Sequence, residues 1–194
     1  IVGGQGDDVI NTMRYAVDNF VFNNGDGHDV INQNVDTLPQ QFATTKTDYI
    51  ELTGVDKDGF TAAIDGKDVV ISYNDGKDSV TIKDYLLNAD NTRDFVITTK
   101  DGETTSLNDV LNAILKSEVS ADATVGTVGA DEITETTAES EIYGFYGNDT
   151  INTSGAESTI VGGEGDDVIN TMRYAVDKFV FNNGDGHDVI NQNV

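Results

Sequence analysis

Glycine, aspartate and isoleucine return in this chain on a nine-residue beat, which few folds can accommodate. Aligning GTVGADEIT (126–134), GFYGNDTIN (144–152) and GGEGDDVIN (162–170) gives G-x-x-G-x-D-x-I-x, eighteen residues apart each time. Between them, ETTAESEIY (135–143) and TSGAESTIV (153–161) keep the isoleucine but carry Ser140 and Ser158 where aspartate would stand. Ile133, Ile142, Ile151, Ile160 and Ile169 are therefore spaced by nine, with Phe179 ten and Ile190 a further eleven residues on. A nine-residue unit has room for one glycine turn and one very short strand. Two units make one coil of a flattened parallel β-helix, its isoleucines stacked inward in two ladders and its glycines taking the positive φ of the corners. The expected fold is mainly all-β: a parallel β-roll of nonapeptide repeats, plus a small antiparallel β-unit with one α-helix.

A longer repeat encloses the short one. Residues 1–35 return as residues 160–194, differing only at Gln5/Glu164 and Asn19/Lys178. Near-identity over such a length reflects recent duplication, so a parent protein with many copies is expected. The opening Ile1-Val2-Gly3-Gly4 falls in mid-pattern, which reads as an excised piece. Three regions follow: a truncated roll at 1–35, an antiparallel β-unit with a C-terminal helix at 36–120, and a roll at 121–194. The first lacks the coils that 121–159 supply to its twin, so it is expected to be the less stable copy or to pair with a neighbouring chain's end.

Acidic residues number 35 against 11 basic ones, a formal charge of −24. That balance rules against nucleic acid or an anionic membrane as partner, since both demand Lys and Arg surface. No stretch approaches a membrane span, so membrane insertion by this chain is not expected. Cysteine is absent, which leaves no disulfide staple and favours a structural metal. Coil stacking would set Asp131, Asp149, Asp167 and Asp188 in a file along one edge. Carboxylates that close repel unless a cation lies between them. Ca²⁺ prefers six or more oxygens, and glycine turns offer carbonyls that no strand consumes.

The nonapeptides GGQGDDVIN (3–11) and GGEGDDVIN match the repeat of the RTX (repeat-in-toxin) family. NGDGHDVIN (24–32 and 183–191) is a near match. This resemblance implies calcium ligands residue by residue. One site would join Thr127, Gly129 and Asp131 to Gly144, Tyr146 and Asp149. A second would join Phe145, Gly147 and Asp149 to Gly162, Glu164 and Asp167. The third would join Gly163, Gly165 and Asp167 to Asn183, Asp185 and Asp188. In the N-terminal copy, Gly4, Gly6 and Asp8 would face Asn24, Asp26 and Asp29. The opposite edge departs from the family through Ser140 and Ser158, and the half-turns around Asp18 and Asp177 lack glycine; that edge is expected to be metal-poor. The resemblance further implies a secreted, cell-surface-associated protein that folds on meeting calcium outside the cell. It would be a structural repeat of an adhesin, or the calcium-binding part of a toxin or hydrolase.

Residues 36–120 lose the nonapeptide. Alternating runs at 48–52, 60–64, 68–73, 79–85 and 95–99 predict strands, punctuated by Asp65-Gly66, Asp75-Gly76 and Asp101-Gly102. SLNDVLNAILK (106–116) predicts a helix with Ser106 as N-cap. The V-x-I…S-V-T-I-K-D-Y…D-G pattern resembles the domain found beside haemolysin-type calcium repeats. Capping a roll or joining successive rolls is the expected role, with binding of a cell-surface ligand or glycan as the alternative. The D-x-D-G at Asp56, Asp58 and Gly59 lacks the first and last ligands of an EF-hand. His28 and His187 read as solvated turn residues. Met13, Tyr15, Met172 and Tyr174 are expected to fill one end of the roll. No catalytic motif occurs, and the chain is read as a non-enzyme.

Overall fold

A computed structural model describes residues 1–13, 16–34, 47–87 and 94–192. The protein is mostly β and rich in parallel pairing. It divides into two units, one formed by Ile1–Leu87 with residues up to Leu111, the other by Asn112–Val194.

The strands of the first unit are β1 (Val9–Met13), β2 (Asn19–Asn23), β3 (His28–Asn34), β4 (Thr47–Thr53), β5 (Phe60–Asp65), β6 (Asp68–Tyr73), β7 (Asp78–Ile82), β8 (Asp94–Thr99) and β9 (Thr104–Ser106). They form two sheets, ordered β1-β3-β7-β6-β5 and β2-β4-β8-β9. Pairing is parallel along β1-β3-β7 and β2-β4-β8. It turns antiparallel only at β7-β6-β5 and β8-β9. Every run expected at 48–99 contains a strand, although the one at 79–85 ends at Ile82 and gives way to a 3₁₀ turn at Tyr85–Leu87, and β4, β7 and β8 lie parallel on the N-terminal strands. The expected break near residue 35 is not a break in either sheet. Periodicity identifies a strand from its own alternation and carries no information on which neighbour it joins. Register explains the pairing: Phe20, Ile50 and Ile97 stack in one ladder, and Ile31 on Ile82 in the other. All five are buried, each contributing about 1.5–3 kcal/mol.

Burial does not favour one duplicated copy throughout: Ile160 is fully buried where its twin Ile1 is 47% exposed, but the later strands run the other way. Phe22 and Ile31 are fully buried beneath β4 and β7, while their twins Phe181 and Ile190 are 50% and 38% exposed. The helix α1 (Leu107–Ser117) begins as expected, with the Ser106 hydroxyl accepting the Asp109 N–H at 3.2 Å. Leu107 and Leu111 are buried.

The second unit alternates between two parallel sheets at each step of the chain. One holds β10 (Thr124–Val125), β12 (Glu141–Tyr146), β14 (Thr159–Glu164) and β16 (Lys178–Val180). The other holds β11 (Glu132–Glu135), β13 (Thr150–Thr153), β15 (Val168–Thr171) and β17 (Val189–Gln192). Ile133, Ile151, Ile169 and Ile190 stand in register in one ladder, Ile142, Ile160 and Phe179 in the other. Five isoleucines form the core. The longer last coil keeps its register (Val168 opposite Val189) by extruding a turn, in which the Ala175 N–H donates to Met172. Met172 and Tyr174 are exposed on it, as is Met13 in the first copy, so none fills the end of a roll; Tyr15 lies outside the described residues.

Candidate metal centre

Among the described residues no three His, Cys, Asp or Glu side chains converge, so a cation site must combine paired carboxylates with main-chain oxygens. The second unit supplies both. Each aspartate precedes a strand of the β11-β13-β15-β17 sheet, and parallel register places one above the next. The Asp131 N–H donates to Asp149 Oδ1 at 2.8 Å, Asp149 N–H to Asp167 Oδ1 at 2.8 Å, and Asp167 N–H to Asp188 Oδ1 at 3.0 Å. The N-terminal copy repeats the rung, from Asp8 N–H to Asp29 Oδ1 at 3.0 Å. One oxygen of each acceptor is thus held by the coil before it.

The other oxygen is the decisive atom. Oδ2 of Asp29, Asp149 and Asp167 is buried with no hydrogen-bond partner. An unsatisfied buried carboxylate oxygen is costly, so such atoms point to a missing partner. Burial pushes the Asp149 carboxyl up to about 8, against the Asp131 N–H and with the charges of Asp167 and Asp131 adding to the rise. Burial likewise raises Asp167 to about 6, helped by Asp188, Asp185 and Asp166. Asp29 is raised for the same reason.

The glycines leave room for these oxygens. A Cβ on Gly144 would lie 2.2 Å from Asp149 Oδ2 and from the Gly162 carbonyl oxygen; one on Gly162 would lie 2.1 Å from Asp167 Oδ2. A Cβ on Gly163 would meet the Phe145 carbonyl oxygen at 2.1 Å, and one on Gly165 that of Gly147 at 1.9 Å. Gly163 and Gly165 also hold positive φ, as does Phe145 in the equivalent place one coil earlier. Asp149 Oδ2 and the Gly162 carbonyl oxygen thus both lie against Gly144, Asp167 Oδ2 lies against Gly162, and the Phe145 and Gly147 carbonyl oxygens face Gly163 and Gly165; all five residues belong to the set expected as one site. Glu164, the remaining member, has its carbonyl accepting the Gly147 N–H at 2.8 Å. Asp185 and Asp26 play that part for Gly165 and Gly6, at 2.6 and 2.7 Å. A carbonyl has a second lone pair for a cation. Neutral and carboxylate oxygens without nitrogen or sulfur suit Ca²⁺.

The other expected sites differ in detail. Asp131 Oδ2 accepts both the N–H and the hydroxyl of Thr127, at 2.6 and 2.9 Å, while the Thr127 hydroxyl also approaches the Gly129 carbonyl at 3.4 Å. That carboxylate is already satisfied locally, although Gly144 and Tyr146 lie on the adjoining coil. Around Asp188, Gly163 and Gly165 are in place, but Asn183 is exposed. The Asp185 and Asp26 side chains close their own turns, accepting N–H groups of Asn182 and Asn23. Gly4 and Gly6 hold positive φ, and the Gly6 N–H donates to the Asp26 carbonyl on the adjoining coil.

Two features escaped the sequence reading. Asp78 accepts the N–H groups of Gly25 and Gly27 at 2.8 and 3.1 Å and the amide of Asn74 at 2.6 Å. Burial raises its carboxyl, but these donors outweigh burial and hold it low, so Asp78 closes the acidic file on the far side of residues 24–27. On the opposite edge, the Asp18 N–H donates to Asp48 Oδ1 at 2.8 Å. Two carboxylates are adjacent there, on the edge expected to be metal-poor. The pair exists because β4 stacks on β2, a contact invisible to periodicity. In the second unit the aspartate position of the same edge is filled by Ser140, Ser158 and Asp177, whose Oδ1 accepts the Ser158 N–H at 3.0 Å.

No protein-family model matches the chain, and no curated protein does. Among solved structures, the extracellular lipase LipA from Serratia marcescens aligns at 15% identity and a TM-score of 0.20, over 97% of this chain. The chain spans 32% of that enzyme's length, and likeness at this level has no bearing on the site.

Proposed function

We propose that this chain is a calcium-dependent β-roll module of the RTX kind, a structural repeat of a secreted bacterial protein. The observation that carries the reading is the buried, partnerless Oδ2 of Asp149 and Asp167, stacked on successive coils among the carbonyls of Phe145, Gly147 and Gly162. A divalent cation in that gap would cancel the repulsion of the two carboxylates and complete their coordination. Phe145, Gly147, Asp149, Gly162, Glu164 and Asp167 would hold it.

Physics links the site to location. The donors converge only when coils stack, so binding energy is folding energy. Extracellular calcium modules bind at about 10⁻⁴–10⁻³ M, far above cytosolic levels. With a charge of −24 the uncomplexed chain repels itself and stays expanded, a state suited to export. Outside, calcium folds it. The duplication of residues 1–35 supports an array of such units in an adhesin, with neighbouring units and calcium as partners, no nucleic acid, and no catalysis of its own.

A second reading draws on a cavity of about 470 Å³ in the first unit, lined by Lys57, Phe60, Ile97 and Glu103 among others. Its size fits a small ligand and would make the module an adhesive one. Glycan-array binding that calcium-site variants retain would favour this reading. Calcium titration of the circular dichroism spectrum tests the main one: a folding transition is expected, and an unchanged spectrum would exclude it.

A further inference from the structure

One polar corner of the first unit is closed by hydrogen bonds on one side and left open on the other. Thr12 on β1 stands opposite Gln33 on β3, and Asp18, just before β2, lies beside Asp48 on β4. The Gln33 amide joins the two sheets. Its Nε2 donates to Asp48 Oδ2 at 2.6 Å, while the Asp18 N–H donates to Asp48 Oδ1 at 2.8 Å. Gln33 is 5% exposed and Asp48 3%, so this corner is closed to solvent. Donation to a carboxylate fixes which end of the Gln33 amide is nitrogen.

Three oxygens of the same group have no such use. Thr12 Oγ1, Asp18 Oδ2 and Gln33 Oε1 are buried without a hydrogen-bond partner among the described residues. The carboxylate and carboxamide oxygens can only accept. Adjacent carboxylates and buried, unused acceptors call for a positive partner. The duplicated copy shows the alternative. There Thr171, the twin of Thr12, donates its hydroxyl to Asp177 Oδ2 at 2.5 Å, and the Ser158 N–H on the coil before takes Oδ1. The coil before thus engages the other oxygen, and Oδ2 is satisfied within the copy. In the first copy Thr12 and Asp18 leave that bond unmade, beside the orphan oxygen of Gln33.

We infer that this corner is a separate calcium site, with Asp18 Oδ2, Gln33 Oε1 and Thr12 Oγ1 as ligands and Asp48 holding Asp18 and Gln33 in place. Its donors are all oxygen, charged and neutral together, as Ca²⁺ prefers. It differs in kind from the stacked aspartates of the second unit. No glycine-turn carbonyl takes part, and two of the three ligands are a carboxamide and a hydroxyl. An ion there clips β4 onto the coil formed by β1, β2 and β3, so that the strands following β3 dock on the roll when calcium is present. The site needs neither Asp149 nor Asp167, and it stands or falls apart from the calcium reading above.

Equilibrium dialysis of the whole chain against calcium chloride counts the bound ions and tests the site, with circular dichroism checking that each variant folds. Asp18→Asn keeps the main-chain N–H for Asp48 and the size of the side chain but removes the charge. It should bind one ion fewer than the wild type in millimolar calcium. Thr12→Val removes the hydroxyl at constant shape and should weaken uptake of that same ion about tenfold. Thr171→Val makes the identical change in the other copy, where the hydroxyl already serves Asp177, and should leave the count unchanged. A folded Asp18→Asn that binds as many ions as the wild type would overturn the inference and leave the file of Asp149 and Asp167 untouched. A higher melting temperature of Asp18→Asn in calcium would overturn it too, because relief on losing a charge means that no ion was there. Should Asp18→Asn fail to fold, Thr12→Val decides: uptake equal to the wild type's sinks the site. A wild-type chain that binds no calcium would sink this inference and the reading above together.

Discussion

The main-chain N–H of Asp149 donates to Asp167 Oδ1 at 2.8 Å, and Asp167 Oδ2 stays buried with no partner. The same residue therefore fixes the order of the coils through one oxygen and offers the other to the proposed cation.

Asp167 borders two gaps, one toward Asp149 and one toward Asp188, so Asp167→Asn removes a charge from both. Asparagine keeps the acceptor for the Asp149 N–H. The calcium midpoint of folding should rise at least tenfold, about 1.4 kcal/mol. Asp131→Asn should shift it less, because Asp131 Oδ2 is already held by Thr127. Calcium titrations followed by circular dichroism separate the two.

Three glycines with distinct surroundings separate backbone strain from coil approach. Gly184 has φ 103° and nothing within 4 Å of where a methyl would stand, so Gly184→Ala should lose only the left-handed strain of about 1–2 kcal/mol. Gly163→Ala adds a collision with the Phe145 carbonyl and should cost more than that. At Gly162 φ is ordinary, but the methyl would strike Asp167 Oδ2, so Gly162→Ala should abolish most of the calcium response. Thermal melts with and without calcium rank the three.

Identical phenylalanines in identical sequence should differ in worth. Phe22→Ala opens a cavity under β4 and should cost about 3–5 kcal/mol. Phe181→Ala acts on a half-exposed ring and should cost less than about 1 kcal/mol. Urea unfolding in calcium measures both, and amide exchange should find 19–34 better protected than 178–192.

The acid dependence reverses the usual one. Asp149 at about 8 and Asp167 at about 6 stand above their ordinary 3.8, so the calcium-free folded chain holds protons that the unfolded chain lacks. Their stabilising effect is complete below about pH 4 and is lost as pH rises through about 6 and then about 8. In chelator any residual folded structure should therefore be greatest near pH 5 and be lost as pH rises toward 8, those bounds being set roughly by the two shifts. Calcium should flatten the slope and release protons on binding.

Legibility divided along the line between local and long-range pairing. The nine-residue beat placed Ile133 through Ile169 inward and set Asp131, Asp149, Asp167 and Asp188 in one file, because a strand's own alternation and a turn's own glycines encode both. It could not reveal that β4, β7 and β8 stack parallel on β2 and β3, since Ile50, which pairs with Phe20, lies in the region that has lost the nonapeptide. Asp48 and Asp78 were missed for that reason. The helix at 107–117 was legible from its Ser106 cap and leucine spacing.

The most direct measurement is circular dichroism with thermal melting of this chain in millimolar calcium, in magnesium and in chelator. The account predicts a β-rich, cooperatively melting protein in calcium alone, and an expanded chain in chelator at neutral pH. An unchanged spectrum and melting temperature in chelator would contradict it.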